Sequence, residues 1–280
     1  MDDHQFRQLL HRLGLEWGGY RRVRKGVKRR IHRHMQELGF RNMEDYFLAL
    51  DKDQDLRGQC ERLMTVSISR FFRDRSLWQA LENPILPGII EKNKEIVRVW
   101  SAGCACGEEV YSLKILWDGL RDRFECLPDL ELLATDMNPL YLDKAREGIY
   151  SRSSLREVPE EMLSTYFIPK KGGGHYLVLP SVKKGVTWKV HNLLNAPPEI
   201  DFHIIFLRNN LLTYYGHELK EPAFGRVVDR LVPGGLLIIG THERPPLAIP
   251  DLITFTSHPY ILQRSGANQK KRNSNSLALL

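Results

Sequence analysis

The sequence predicts an α/β protein in which a mostly parallel sheet follows an all-helical N-terminal region. Apolar residues in the segment 1–80 recur at helical spacing, whereas from residue 96 short apolar strands alternate with helical segments. Such alternation is typical of a parallel sheet covered by helices. The chain has 280 residues, of which 42% are hydrophobic, so it can bury a sizeable core.

The N-terminal region, residues 1–80, is predicted to contain a strongly basic helix. In the segment 21–38, Val23, Val27 and Ile31 share one face, and Gly39 stands where a helix ends. Shorter helices are expected over 43–50 and 56–64. The other faces of 21–38 are densely basic, which predicts a docking surface for an acidic partner; a solvated basic face is the alternative. The residues of this predicted surface are Arg22, Lys25, Lys28, Arg29 and Arg33.

The alternating part of the chain, residues 81–265, is predicted to be a second domain. Its strands are expected over 96–101, 131–135, 186–190, 204–207 and 236–240, with a late antiparallel strand over 260–263. Its helices are expected over 108–121, 139–147 and 218–231, and Pro233-Gly234-Gly235 is expected to turn the chain into the last parallel strand. A small glycine-rich β-excursion is predicted at about 166–188. The polar tail, 266–280, is predicted to be disordered.

The segment 97–112 carries the clearest chemical signal. It is predicted to form a buried strand, a tight turn of small residues and the start of a helix, and Glu108 and Glu109 lie at the turn. A helix N-terminus suits a phosphate, but two carboxylates beside it would repel one. They favour a ligand that carries positive charge and no phosphate, such as S-adenosylmethionine (SAM).

Composition excludes several other classes of protein. No apolar run approaches the roughly 20 residues that span a bilayer, and the acidic N-terminus is unlike a secretory signal, so a cytoplasmic protein without membrane insertion is expected. The four cysteines form neither a disulfide framework nor a metal-ligand spacing, and no metal is predicted. The net charge of +7 agrees with an acidic partner. A nucleic-acid methyltransferase would also be basic, but its Asn-Pro-Pro-aromatic and Pro-Cys motifs are missing, so no nucleic acid is expected.

In the order of its motifs, the chain resembles the CheR-type chemoreceptor glutamate O-methyltransferases over about residues 6–264. The motifs that carry the resemblance are Tyr20-Arg21-Arg22, Val27-Lys28-Arg29-Arg30-Ile31, Ser69-Arg70-Phe71-Phe72-Arg73-Asp74, Trp100-Ser101-Ala102-Gly103-Cys104-Ala105-Cys106-Gly107-Glu108-Glu109, Ala134-Thr135-Asp136, Asn192-Leu193-Leu194, Phe206-Leu207-Arg208-Asn209 and Pro233-Gly234-Gly235. The resemblance implies a Rossmann-like SAM-dependent methyltransferase domain, SAM as cofactor, and a chemoreceptor or related signalling protein with an acidic surface as partner. It also implies a monomer.

The resemblance further implies a set of site residues. Asp136 would accept the ribose hydroxyls of SAM, unless it instead caps the helix that follows. The predicted cofactor-binding residues are Ser67, Ser69, Arg73, Glu109, Asp136, Asn192, Leu193, Arg208 and Asn209. Because a glutamate of pKa near 4.3 is about 99.8% ionised at pH 7, no general base is needed to make the nucleophile. Arg73 is the first catalytic candidate, as the group that orients the substrate carboxylate, and Tyr214 is the second, with Tyr215 as its alternative.

The chain also departs from the family pattern. Ser67 and Ser69 stand where the family usually has Asn and Thr, and the segment from Arg208 to Tyr214 is one residue longer than the commonest form. The glycine-rich excursion lacks a strong strand edge, so we expect no peptide tether there, and expect the basic helix alone to recognise the receptor. Two alternatives stay open: a similar enzyme of a non-chemotactic pathway, and a catalytically idle SAM-binding module.

Overall fold

The computed structural model describes residues 1–255 and 258–266. The predicted disordered tail therefore lies outside the described residues from 267 onward. The helices before the first strand are α1 (Asp3–Arg12), α2 (Trp17–Tyr20), α3 (Arg24–Glu37), α4 (Met43–Lys52), α5 (Gln54–Met64), α6 (Arg75–Ala80) and α7 (Leu86–Lys92), and the chain kinks between α6 and α7 at Asn83, whose backbone is not helical.

The basic helix α3 is shorter than predicted at its N-terminal side. The chain first forms the separate one-turn helix α2 and then a turn, so regular α-helix begins at Arg24 instead of residue 21. The end is where Gly39 predicted it. Gly39 has a φ of +79°, a conformation that favours glycine, and the next N–H, of Phe40, donates to the carbonyl of Met35 (2.9 Å).

A seven-stranded sheet forms the centre of the second region, with strand order β6-β2-β1-β7-β8-β10-β9. The strands are β1 (Ile96–Ala102), β2 (Asp129–Asp136), β3 (Ile149–Ser151), β4 (Phe167–Pro169), β5 (His175–Val178), β6 (Val186–Val190), β7 (Phe202–Leu207), β8 (Leu231–Ile239), β9 (Leu252–Thr254) and β10 (Ile261–Arg264). Strands β6, β2, β1, β7 and β8 pair in parallel, and β10 is antiparallel to β8 and β9. The predicted α/β fold is confirmed.

The helices of this region cover the sheet. They are α8 (Glu108–Gly119), α9 (Pro139–Glu147), α10 (Glu160–Tyr166), α11 (Pro180–Lys183), α12 (Leu211–Tyr214) and α13 (His217–Val228), with 3₁₀ turns at Arg121–Arg123 and Arg152–Leu155. Helix α13 ends earlier than predicted because Leu231 already pairs with Phe202 of β7. The next pair is Ile204 with Leu236, so Pro233 to Gly235 bulge out of β8 instead of preceding it.

The β-excursion begins earlier than predicted. It is a three-stranded antiparallel sheet of order β3-β5-β4, so it starts at Ile149 and not at 166. Its predicted end at 188 is also wrong, because Val186–Val190 is the edge strand of the main sheet and pairs with β2. The sequence signal for β3 is weak because the strand has three residues.

The buried apolar residues form two clusters. One contains residues of α1 to α5, from Phe6 to Met64, and the other packs both faces of the main sheet, from Phe71 to Leu262. The segment 65–70 joins them and is called the linker below. Within residues 1–255 and 258–266, no helix is both long and apolar enough to cross a membrane.

The two regions also meet through their backbones. The N–H of Glu16 donates to the carbonyl of Tyr214, and the N–H of Gly216 donates to the carbonyl of Gly14, both over 2.8 Å. An isolated β-bridge pairs Leu15 with Tyr215. The loop between α1 and α2 is therefore fixed against the end of α12.

Candidate active site

A cavity opens at the carboxyl ends of β1, β2 and β7, between the sheet and the N-terminal helices. It encloses about 1240 Å³ of empty space, its open mouth included. In open α/β sheets, ligands bind at this edge. All the predicted cofactor and catalytic residues except Ser67 line it: Ser69, Arg73, Glu109, Asp136, Asn192, Leu193, Arg208, Asn209 and Tyr214.

The loop between β1 and α8 brings its backbone close to the cavity. Gly103 and Gly107 have φ values of +84° and +88°, which favour glycine. The N–H groups of Gly103 and Cys104 both donate to the carbonyl of Thr135 over 2.8 Å, so the loop is tied to the end of β2. A Cβ on Gly103 would lie 2.1 Å from Nδ2 of Asn210, so no side chain fits there.

Asp136 ends β2 with a carboxylate that the backbone holds in one orientation. Its Oδ2 accepts from the N–H of Ala105 and its Oδ1 from the N–H of Asn138, each over 2.9 Å. A carboxylate has about four lone-pair sites, so it can still accept hydroxyl donors. Burial raises the pKa of Asp136, and these N–H donors oppose the rise. Asn138, whose side chain accepts from the N–H of Leu140, is the N-cap of α9, so Asp136 does not have that alternative role.

Arg208 connects three segments beneath the cavity. Its side chain is 5% exposed, and it donates to Oε2 of Glu109 (2.9 Å) and to Oδ2 of Asp74 (2.6 Å). It also donates to the carbonyl of Arg73 over 3.3 Å. The second oxygen of Glu109 accepts from the hydroxyl of Ser101 (2.8 Å). Arg208 therefore fixes the start of α8 and the residues after the linker to the end of β7.

Glu108 and Glu109 do not face one ligand together. Successive helical residues point about 100° apart, and Glu108 lines a separate hollow beneath α3. It is 5% exposed, its Oε2 has no hydrogen-bond partner among the described residues, and burial raises its pKa. Ser67 lines the same hollow, 3.5 Å from Sγ of Cys106, whereas Ser69 lines both spaces. Glu108 and Ser67 therefore line a different space from Glu109 and the other predicted cofactor residues.

Asn192 and Leu193 lie after β6 at the cavity wall. Oδ1 of Asn192 accepts from the N–H of Leu194 (3.0 Å), which orients the amide group. The N–H of His191 donates to the carbonyl of Asp136 over 3.0 Å. Its Nε2 is buried without a hydrogen-bond partner in the described part of the chain, and burial lowers the pKa of His191.

Arg73 differs from the other arginines that line the cavity. Arg208 pairs with two carboxylates, and Arg70 lies 3.5 Å from Glu157. Nη1 of Arg73 donates to the carbonyl of Ile68 (2.6 Å), and no ion pair of Arg73 is found within residues 1–255 and 258–266. A guanidinium in this state can bind an incoming carboxylate with two hydrogen bonds.

The two tyrosines at the end of α12 differ in their surroundings. Tyr214 packs against Tyr20 of α2, with ring centroids 4.9 Å apart and the ring planes inclined at 58°. Burial raises the pKa of Tyr214, and the nearby charge of Arg73 opposes the rise. Tyr215 is more enclosed; its hydroxyl lies 3.7 Å from Sδ of Met137, and burial raises its pKa to about 12. Of the two, only Tyr214 has a pKa on which the charge of Arg73 acts.

Sequence reasoning missed Asp74, Asn210 and Glu243. Asn210 caps α12 by accepting from the N–H of Leu211 (2.5 Å), and its Nδ2 donates to the carbonyl of Ala102 (2.5 Å). Glu243 is buried behind Asn209 and Thr213. An acidic residue three positions after the glycine that ends β8 was the available signal for Glu243.

The predicted docking surface divides on α3. Lys25, Arg29 and Arg33 are exposed and, at intervals of four, share one side of the helix, and Arg22 is exposed in the turn before it. Lys28, by contrast, pairs with Asp3. The exposed four form the basic stripe, a name kept below.

The residues of the cavity suit SAM. Asp136 offers a fixed carboxylate for a diol, and Glu109 places a second carboxylate on the wall. Met137, Leu193 and Leu194 supply apolar surface for a base. This donor set matches a nucleoside with a cationic, phosphate-free tail.

The comparisons with known proteins agree with this set. The model of the CheR methyltransferase, SAM binding domain, matches residues 67–260. The chain is 34% identical to a chemotaxis protein methyltransferase of Listeria monocytogenes, over 83% of this chain and 85% of that protein. It is 29% identical to chemotaxis protein methyltransferase 1 of Pseudomonas aeruginosa, over 78% of this chain and 81% of that one.

The solved structures include the N-methyltransferase NodS from Bradyrhizobium japonicum in complex with S-adenosyl-L-homocysteine. It is 13% identical to this chain, with a TM-score of 0.34, over 69% of this chain and 71% of the NodS chain. The family model and the Listeria relative each cover about two thirds or more of the chain. This chain is therefore a SAM-dependent methyltransferase and belongs to the CheR methyltransferase family.

Proposed function

We propose that this enzyme transfers a methyl group to glutamate carboxylates of chemoreceptors, as a protein-glutamate O-methyltransferase. The observation that carries the proposal is Arg73: a guanidinium in the cavity for which the described residues provide no carboxylate partner. The names of the relatives, chemotaxis protein methyltransferases, support a chemoreceptor as the substrate.

A carboxylate acceptor fits the chemistry of the wall. Bound SAM supplies an activated methyl group on a sulfonium. Since a glutamate is already ionised at pH 7, the chain needs to orient the nucleophile and exclude water, and it needs no proton acceptor. Arg73 can hold one carboxylate oxygen and Tyr214 can donate to the same group. Asp136, Asn192 and Leu193 are proposed to hold the nucleoside.

The basic stripe is proposed to bind the receptor. Arg22 is exposed in the turn before α3, and Lys25, Arg29 and Arg33 are exposed on α3. Helix α3 packs on the same helical core as α2, whose Tyr20 contacts Tyr214 in the cavity wall. Attraction between exposed charges is screened by salt, so this docking is expected to weaken as ionic strength rises.

The test of methyl transfer uses radiolabelled SAM and a cytoplasmic chemoreceptor fragment. Label that alkali releases as methanol identifies a methyl ester, because N-methyl groups survive that treatment. We expect Arg73→Ala to lower kcat/KM about 100-fold through lost orientation. Arg70→Ala, three positions earlier at the end of the linker and also in the cavity wall, is the matched control and is expected to stay within about threefold, since its pair is partly exposed. Alkali-stable label would contradict the proposal.

The docking test neutralises the four residues of the basic stripe to glutamine. We expect KM for the receptor fragment to rise about tenfold at low salt and its salt dependence to flatten, while the Kd for SAM stays unchanged. The control neutralises four exposed cations elsewhere, Lys92, Lys94, Arg121 and Arg123. Equal losses in the two variants would show that only net charge matters.

A further inference from the structure

Glu243 is a buried acidic residue beside the cavity to which the proposed mechanism gives no role. It is 7% exposed and follows β8 in a turn closed by its N–H bond to the carbonyl of Gly240 (2.9 Å). Its Oε2 accepts from the N–H groups of Asn209 (2.9 Å) and Gly240 (2.6 Å). Its Oε1 accepts from the hydroxyl of Thr213 (2.5 Å). One carboxylate thus connects the ends of β7 and β8 with α12.

The first pair of bonds supports an unusual backbone. Asn209 has a φ of +54°, in the left-handed region that residues other than glycine seldom adopt. Such a residue persists only where its surroundings hold it. A Cβ on Gly240 would lie 2.7 Å from Oε2 of Glu243 and 2.9 Å from Oδ1 of Asn209, so the approach requires glycine. Asn209 itself lines the cavity.

The third bond acts next to Tyr214. Helix α12 has four residues, too few to be stable without anchors. Asn210 caps its start, and the bond from Thr213 to Glu243 fixes its last turn. The charge of Glu243 is also among the groups that act on the phenol of Tyr214. Glu243 is therefore one of the anchors of the short helix that ends in Tyr214.

We propose that Glu243 is a positioning residue for methyl transfer, which holds Asn209 and Tyr214 in place from behind the cavity wall. The Tyr214 half rests on the proposed function, whereas the Asn209 half concerns SAM binding alone. A residue of merely structural importance would lower the stability of the fold without changing the kinetic constants of the folded enzyme. The two oxygens of the carboxylate bind different groups, so the effect of Glu243 on Asn209 and its effect on Tyr214 can be tested separately.

The experiment compares variants by calorimetric SAM titration and by methyl transfer to the receptor fragment. Thr213→Val removes only the hydrogen bond to Oε1 of Glu243, and we expect kcat to fall about tenfold while the Kd for SAM stays within twofold of wild type. Glu243→Ala removes the hydrogen bonds of both carboxylate oxygens, and we expect kcat to fall about 100-fold and the Kd for SAM to rise about tenfold. Glu243→Gln keeps a carbonyl oxygen for both N–H groups and can donate to Thr213, so it is expected to stay within about threefold of wild type.

Glu95→Ala, an exposed carboxylate at the far end of β1, is the control for loss of charge. Wild-type kcat and Kd in Glu243→Ala, with only a lower melting temperature, would overturn the proposal. So would equal losses in Glu243→Gln and Glu243→Ala, since the first retains the hydrogen bonds. If the wild-type enzyme transfers no methyl group to the receptor, the proposed function fails alone. The Kd of Glu243→Ala for SAM would then still show whether Glu243 positions Asn209 for cofactor binding.

Discussion

Replacement of Arg208 by methionine tests whether the buried charges around β7 hold the active site together. The side chain of Arg208 is 5% exposed, and its partners Glu109 and Asp74 are 16% and 26% exposed. Arg208→Met leaves two enclosed carboxylates without their cation, and breaking such a buried pair costs about 3–5 kcal/mol. Because Glu109 keeps the hydroxyl of Ser101, we expect about 3 kcal/mol, at the lower end of that range.

The assay is urea unfolding of wild type and variant, followed by tryptophan fluorescence, with the free energy of unfolding obtained by linear extrapolation. The matched control is Arg98→Met. Arg98 pairs with Glu131 over a similar distance, 2.8 Å, but the two side chains are 40% and 54% exposed, so we expect about 0–1 kcal/mol.

A double variant separates loss of packing from loss of charge. Adding Glu109→Gln to Arg208→Met removes one uncompensated carboxylate, and we expect it to recover about 1 kcal/mol. The reasoning is refuted if Arg208→Met and Arg98→Met cost the same, or if the second substitution destabilises the protein further.

Three further outcomes are expected. Gly103→Ala, at a φ of +84° and with its Cβ 2.1 Å from Asn210, should destabilise the protein by about 2 kcal/mol or more and abolish SAM binding, as measured by unfolding and calorimetry. Ser67→Ala should leave the Kd for SAM within twofold, because Ser67 lies outside the cavity; a tenfold loss would restore it to the cofactor site. For Glu108, burial raises the pKa of the folded state above the ordinary 4.5. Between the unfolded-state and folded-state pKa values the folded protein therefore binds more protons than the unfolded one, and wild-type stability falls as pH rises through that range. The stability of Glu108→Gln relative to wild type should therefore increase with pH from about 4.5 upward, as followed by urea unfolding across pH; a constant difference would show that Glu108 does not titrate in this way.

The parallel sheet was predictable because its strands are short, apolar and separated by helical segments, which are local signals. The start of β8 was not, since Leu231 joins the sheet only through its pairing with Phe202, far away along the chain. The three-residue strand β3 has too few residues for a pattern. Local sequence therefore indicated the order of the elements but not every boundary.

The site shows the same division. The loop glycines and Asp136 lie within one strand–turn–helix unit, so their positions follow from local geometry. Glu109, which the resemblance implied as a cofactor residue, lines the cavity, whereas the separate hollow that Glu108 lines depends on the packing of α8 beneath α3, which local sequence does not show. The contacts of Arg208 and Glu243 join segments more than thirty positions apart or from different elements, and they emerge only when the chain is folded.

The backbone hydrogen bonds that join Gly14 and Glu16 to Gly216 and Tyr214 tie the N-terminal helical region directly to the segment that carries Tyr214. The match to the family domain begins at residue 67, yet the segment that supports the backbone of Tyr214 lies more than fifty positions earlier. An exchange of the family domain between relatives would therefore also have to include the loop between α1 and α2, which makes these two bonds. If the receptor docks on the basic stripe as proposed, it binds the helical core that also carries Tyr20, whose ring contacts Tyr214, so docking would act on an element that touches the wall of the active site.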